Sequence, residues 1–342
     1  MRFGLGQFTL QIPPWDKRSH AQLYADTLEL AQLAERSGFE SFWLAEHHAA
    51  SDGYNPSTLP FLSAVAARTQ RLEVGTAVLL APFHNPLRVA EDAAVVDNIS
   101  GGRLNLGLGL GWVPEEYRMF GIPTKGRGKR LEEFVDVVRH AWTGERFSYD
   151  GTFYNYEDVL VRPRPSRSVP LYLGGSTPPA LERAARMADG HFPPSGGSPA
   201  QALERAKEIA SIRERLGLSG PYRFGMFLNI GIGADAEDGW RRIRDGMLHV
   251  RGSYAMWGMG EKDVTNARDT AAAWEDQVRP GALCGSPQQI VDELGPHLRE
   301  LETLGFDDVF VSAILAPPGT PPDQASEAVE TFGAKVISVL KG

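Results

Sequence analysis

The sequence predicts a single-domain α/β protein, a (β/α)8 TIM barrel with insertions spanning residues 1–342, and three observations predict it. Eight short apolar runs alternate in order with segments of helical periodicity. Each intervening helix makes successive strands parallel, because a parallel crossover needs a connection of helix length. No shift in composition marks a linker along the chain. A doubly wound sheet would satisfy the same alternation, but eight repeats over this length favour the closed barrel.

The elements follow in order. Phe3 to Thr9 reads as strand one, and Ala21 to Arg36 as a helix, with Leu23, Leu28, Leu30, Ala31 and Leu33 at helical spacing and Gly38 stopping it. Phe39 to Ala45 is strand two, with a helix opening near Ser57. Leu72 to Leu80 is strand three, followed by a helix from Pro86 to about Ile99. Leu104 to Leu110 is strand four. Arg130 to Trp142 is helical, and Phe147 to Val161 reads as a hairpin turning at Asp150-Gly151. Leu171 to Gly174 is strand five, with a helix from Pro178 to Ala188. Strand six is short, near His191 and Phe192, and Pro199 to Leu216 is its helix. Phe224 to Ile232 is strand seven. A long, partly helical insertion covers about 233–280, before a helix from Pro287 to Leu304 and strand eight from Val309 to Ile314.

Apolar residues make up 42% of the chain and charged residues 23%, a balance able to bury a sizeable core. The net charge of −8 argues against nucleic acid or an anionic membrane surface as the main partner, since both need a basic footprint. The single cysteine, Cys284, excludes an internal disulfide. The start Met1-Arg2-Phe3-Gly4 reads as a first strand rather than a signal peptide, and no apolar run reaches the roughly 18 residues of a membrane span. A soluble cytoplasmic protein is expected.

In a barrel the chemistry sits at the C-terminal ends of the strands. Strand two ends in Glu46-His47-His48. Histidine exchanges protons near neutral pH, so His47 is the candidate general acid or base, against the alternative of a hydrogen-bonded loop histidine. Metal binding through His47, His84 and His191 is the weaker reading, because no His-x-His on strand one and no His-Glu-x-x-His occurs. Strand four ends in Gly107-Leu108-Gly109-Leu110-Gly111-Trp112, whose spacing is not a dinucleotide fingerprint. Its glycines either relieve crowding or let a flat ring lie on the backbone, with Trp112 facing that ring. Strand five ends in Gly174-Gly175-Ser176-Thr177-Pro178-Pro179, directly before a helix. Ser176 and Thr177 suit ordinary capping, and the glycine pair shifts the reading toward a phosphate cradle.

Several ordered motifs together resemble a family. Phe42-Trp43-Leu44-Ala45-Glu46-His47-His48 is similar to the end of strand two in bacterial luciferase and its flavin-dependent relatives. Val74-Gly75-Thr76-Ala77-Val78, Asn85-Pro86-Leu87-Arg88-Val89-Ala90-Glu91-Asp92, Gly102-Arg103-Leu104, Cys284-Gly285-Ser286-Pro287-Gln288-Gln289 and Gly305-Phe306-Asp307-Asp308-Val309 extend the resemblance along the chain. It implies His47 as the catalytic histidine, a non-proline cis peptide at Ala77–Val78 beneath the isoalloxazine ring, phosphate contacts from Ser176 and Thr177, and Glu116 as an acidic residue near the flavin. Gly109 and Leu110 stand where luciferase has a reactive cysteine and a phosphate-binding arginine, so luciferase activity itself is not expected. The Gly-Leu-Gly-Leu-Gly-Trp and Gly-Gly-Ser runs look like the branch that uses the deazaflavin F420, while Glu-His-His is closer to the FMN branch.

The resemblance therefore implies a flavin-dependent monooxygenase that takes reduced FMN from a separate flavin reductase and uses O2 to oxygenate a small organic substrate. No nicotinamide-binding segment is visible in the chain. An F420-dependent hydride-transfer enzyme on the same fold is the first alternative; a metal-dependent hydrolase and a non-catalytic flavin-binding protein are the others. The helices carrying Arg88, Glu91 and Asp92 match the family's dimer-forming face, so a homodimer is expected. The insertion is read either as a mobile lid, with Gly252, Gly258 and Gly260 and the Met256, Trp257 and Met259 between them forming an apolar tip that can move, or as a rigid helix pair.

Overall fold

Eight parallel strands form a closed ring in the computed structural model, which describes residues 1–261 and 263–342. They are β1 (Arg2–Phe8), β2 (Ser41–Leu44), β3 (Glu73–Thr76), β4 (Leu104–Gly109), β5 (Leu171–Gly174), β6 (Gly190–Phe192), β7 (Arg223–Ile232) and β8 (Asp308–Ile314). Sequential neighbours pair all the way round, and β8 returns to β1 through Val311 opposite Phe3. The barrel expected from the alternation is thus the observed fold.

Strand interiors carry apolar residues on both faces because helices cover the outside and side chains fill the inside. Outside, Leu62, Val65, Ala90, Val137, Val138, Leu181 and Ile209 from the surrounding helices are buried in one continuous core with strand residues such as Phe3, Leu5 and Leu106. Inside, Trp43 stacks on Phe310 with ring centroids 4.7 Å apart and meets Phe227 edge-on at 5.7 Å. Large rings fit a narrow barrel only where facing positions are small. A Cβ at Gly75 would come within 2.3 Å of the Trp43 ring, and one at Gly225 within 2.0 Å of the Phe310 ring.

Four features depart from the sequence reading. The apolar run Leu72 to Leu80 is not one strand: β3 stops at Thr76, the Ala77–Val78 peptide is cis, and a two-residue strand, Leu79–Leu80, resumes beside β4. The short helix Pro114–Met119 follows β4 unannounced, as does the strand Ala282–Gly285, which adds to the outside of β7. Beyond Ile314, where the sequence reading assigns nothing, a helix Pro322–Phe332 buries Ala325, Val329 and Phe332 against the barrel. The hairpin is present as Phe147–Asp150 paired with Asn155–Val159.

The insertion after β7 opens with a 23-residue helix, Ala236–Gly258, continued by the short helices Ala267–Ala272 and Glu275–Val278. Gly252 lies inside that long helix, where a Cβ would meet the Ala267 carbonyl oxygen at 1.7 Å, so it serves close packing and not hinging. Trp257 is 1% exposed, whereas Met259 is 72% exposed. The rigid helix is the reading this packing supports. Among the described residues no helix is long and apolar enough to cross a membrane.

Candidate active site

Residues at the C-terminal ends of β2 to β5 converge. The short β2 ends at Leu44, and the chain continues buried through Ala45, Glu46, His47 and His48. The helix Pro114–Met119, opened by a proline that suits a first helical turn, carries Glu116 toward this segment. Glu116 is fully buried. Its Oε1 lies 2.9 Å from His47 Nδ1 and accepts from the His48 backbone N–H at 2.8 Å. A carboxylate only accepts, so the pair fixes the proton on Nδ1 and leaves Nε2 as the ring nitrogen for proton exchange. The two residues implied separately as catalytic and flavin-proximal thus form one unit.

Aromatic rings enclose His47. Tyr54 meets it edge-on at 4.9 Å, Trp257 lies at 4.8 Å, Tyr254 at 5.5 Å and Trp112 at 6.5 Å. The Tyr54 and Tyr254 hydroxyls are 3.1 Å apart. Trp112 is 42% exposed, at the rim. Tyr54 and the helix residue Tyr254 carry no local motif that marks them, Trp257 stands out only as part of the insertion's apolar tip, and only the fold brings residues about 200 positions apart against one histidine.

Beside this unit stands the shelf made by Ala77 and Val78. Gln7 from β1 donates to the Ala77 carbonyl. The Val78 side chain lies between two glycines: a Cβ on Gly109 would come within 2.4 Å of Val78 Cγ2, and one on Gly174 within 3.4 Å of Cγ1. The Leu110 carbonyl accepts from the Tyr117 hydroxyl at 2.5 Å, so at this position the backbone braces the helix that carries Glu116. After β5, Gly175 takes φ +130°, which favours glycine, and Ser176 and Thr177 are exposed. Thr177 occupies the N-cap of the helix Pro178–Met187 without a side-chain capping bond. This corrects the capping reading. It also limits the helix terminus as an anion site, because Pro178 and Pro179 have no N–H and the Ala180 N–H already bonds the Thr177 carbonyl. The donors at this turn are the backbone of 175–177 and the two hydroxyls.

The histidines weighed for a metal do not converge as His47, His84 and His191. His191 is buried inside the wall, with Nδ1 2.8 Å from the Leu173 carbonyl, and burial pushes its pKa down to about 4. His84 and His48 instead meet Glu46, whose Oε1 lies 2.7 Å from His84 Nε2 and 3.1 Å from His48 Nε2. These three residues have ligand-like spacing. The same Oε1 accepts from the Leu80 N–H at 3.2 Å, so the carboxylate already serves as a hydrogen-bond hub. Burial opposes its charge, but the two histidine bonds outweigh that and hold the Glu46 pKa below the ordinary range.

A closed parallel barrel with a histidine–carboxylate pair, an aromatic wall and a glycine-flanked shelf at its C-terminal mouth has the architecture of a barrel enzyme. Residues 8–308 match the family described as luciferase-like monooxygenase, and the chain belongs to that family. It is 35% identical over 189 residues to the F420-dependent glucose-6-phosphate dehydrogenase of Microbacterium testaceum, a match covering 53% of this chain and 55% of that protein. It therefore spans little more than half the length of that relative. Over 333 residues it is 28% identical to the 4-hydroxyprotoasukamycin monooxygenase of Streptomyces nodosus subsp. asukaensis, covering 92% of this chain and 86% of the relative. Among solved structures, monooxygenase RslO1 from Streptomyces bottropensis superposes with a TM-score of 0.80 at 26% identity, covering 99% of both chains.

Proposed function

We propose that this chain is the oxygenase component of a two-component flavin-dependent monooxygenase, taking reduced FMN from a separate reductase and acting with O2 on a small organic substrate as a homodimer. The observation that carries this reading is the Glu116–His47 pair, buried among aromatic rings beside the Val78 shelf. The shelf fits a flat ring system: small residues at Gly109 and Gly174 flank it, and a side chain at Gly109 would displace Val78. Ala77, Val78, Gly109 and Gly174 would hold the ring, and the backbone at 175–177 with the Ser176 and Thr177 hydroxyls would hold the phosphate.

When bound, reduced FMN supplies the electrons that activate O2. The protein does the rest. Glu116 orients the His47 ring, so His47 Nε2 can give a proton to the reacting centre and take it back. Tyr54, Tyr254 and Trp257 pack around that ring and keep bulk water from it, which protects reactive oxygen chemistry from unproductive decay.

The F420-dependent reading has its own support. F420-dependent relatives reach 36% identity, and Gly109 and Leu110 replace the reactive cysteine and phosphate-binding arginine expected in luciferase. The deciding experiment is equilibrium binding of FMN and F420 to the purified chain, followed by turnover with and without O2. FMN binding with oxygen-dependent turnover is expected. Preferential F420 binding with anaerobic hydride transfer would replace the monooxygenase reading.

A further inference from the structure

A cavity of about 260 Å3 opens at the mouth on the side of β1, β7 and β8, bordering the site just described. Gln7, whose amide holds the Ala77 carbonyl, and Tyr254, which touches His47, both line it. Arg251 stands on its wall, three residues before Tyr254 on the helix Ala236–Gly258.

Several partly buried arginines of this molecule have carboxylates: Arg2 pairs with Glu73 and Asp308, Arg18 with Asp16 and Asp26, Arg183 with Glu132. Arg103 has no carboxylate but donates to four backbone carbonyls and the Thr69 hydroxyl. Arg251 forms no ion pair among the described residues, and its one hydrogen bond runs from Nη2 to the Ser195 carbonyl at 3.2 Å. Burial works against its charge, and only Tyr254 offsets it. A guanidinium has five donors, and leaving most of them unmatched in a partly closed site is costly unless a ligand supplies the acceptors.

A second observation points the same way. The Thr9 hydroxyl, on the wall of the same cavity, is buried with no hydrogen-bond partner among the described residues. Acidic groups do line the cavity at its outer end, along the helix His20–Arg36. There Asp26 is held by Arg18 at 3.2 Å.

We propose that Arg251 binds the carboxylate of an organic-acid substrate in this cavity, with the Thr9 hydroxyl as a second donor. The proposal deepens the reading of the barrel mouth as the substrate site and rests on it. The fork geometry of arginine suits a carboxylate held by two parallel bonds. The phosphate of the cofactor is the other anion that could reach an arginine at this mouth, and the test separates the two.

The full chain, without flavin, is titrated by calorimetry with benzoate and with octanoate, each against its uncharged amide. FMN and inorganic phosphate form separate arms. Each carboxylate should bind about ten- to hundredfold more tightly than its amide. Arg251→Met should erase that preference and Arg251→Lys should keep part of it. Thr9→Val should weaken carboxylate binding with an unchanged circular dichroism spectrum, which keeps the test valid should Arg251→Met fail to fold. Equal binding of carboxylate and amide, or binding of neither, overturns the proposal. So does a loss of FMN affinity in Arg251→Met with the carboxylate preference intact, which would give the guanidinium to the cofactor phosphate. Carboxylate binding through Arg251 in a chain that never binds FMN would sink the monooxygenase reading alone.

Discussion

A buried histidine acts as a proton carrier only if its ring is oriented, and Glu116 orients His47. In His47→Ala, single-turnover oxygenation should fall by about 10²–10⁴-fold while FMN affinity and thermal stability stay near wild type. Undiminished turnover in a folded, flavin-loaded variant would remove His47 from the mechanism. The shelf makes an independent prediction. Gly109→Ala places a Cβ where Val78 Cγ2 now lies 2.4 Å away, so Val78 must move and FMN affinity should drop, as read by fluorescence titration. Equal FMN affinity in wild type and Gly109→Ala would show that this surface does not hold the ring. Nearby, burial alone would discharge His84, but its hydrogen bond to Glu46 and the charge of Glu46 outweigh burial and raise its pKa above the ordinary histidine value. A raised folded pKa contributes stability that is fully present below the unfolded value, about 6.5, and is lost as pH rises through the folded one. The stability difference between wild type and His84→Gln, measured by urea unfolding, should therefore shrink from about pH 6 to about pH 9. A difference independent of pH would mean that the pair carries no charge. His47 was visible in the sequence as a histidine at a strand end and Glu116 only through the family resemblance, and their pairing through neither, because the six-residue helix that carries Glu116 is too short to leave a periodic pattern.

At the scale of elements, periodicity located every barrel strand and most of the covering helices, since each has one apolar face or an apolar run. It misjudged Leu72 to Leu80, where the run stays apolar through the break at Ala77–Val78, because hydropathy records burial and not backbone direction. It also could not tell a lid from a packed helix in the insertion. Gly252, read as part of a movable tip, is where the helix Ala236–Gly258 presses on Ala267. On the same helix His249 Nε2 lies 2.7 Å from Asp52 Oδ2, which also accepts from Gln11 Nε2 at 2.6 Å. That buried network ties the helix to the loop after β2, and so holds Arg251, Tyr254 and Trp257 in register with His47. Gly252→Ala should therefore lower unfolding stability by about 1–3 kcal/mol through overpacking, and should loosen the aromatic wall with it. Denaturant melts of the two proteins measure this, and an unchanged midpoint would show that the helix rides free of its neighbour.

For the whole molecule, the unit that binds substrate is proposed to be a pair. The helix Pro86–Ser100 leaves Val95 44% exposed and Ile99 49% exposed, one helical turn apart. Earlier on the same helix, Arg88 pairs with Glu91 at 3.4 Å and with Asp92 at 2.8 Å. A two-fold axis brings the same surface of each copy together, so a self-complementary patch must offer apolar contact and both signs of charge. This helix offers both: Val95 and Ile99 can meet their own symmetry mates, and Arg88 can exchange an exposed intrahelical partner, worth little in water, for an acid across the axis. The helix lies on the outer face of β3 and β4, so its N-terminal end at Pro86 follows His84 and the hub at Glu46. Dimerisation would thereby brace the loop that completes the active site. Light scattering over a range of concentrations should give twice the mass of the 342-residue chain for the wild type and a monomer for the double variant Val95→Glu, Ile99→Glu. Charge placed on a buried apolar patch cannot be desolvated without a partner, which is why two substitutions suffice. A monomeric wild type at every concentration, or a double variant that still dimerises, would place the assembly surface elsewhere or nowhere.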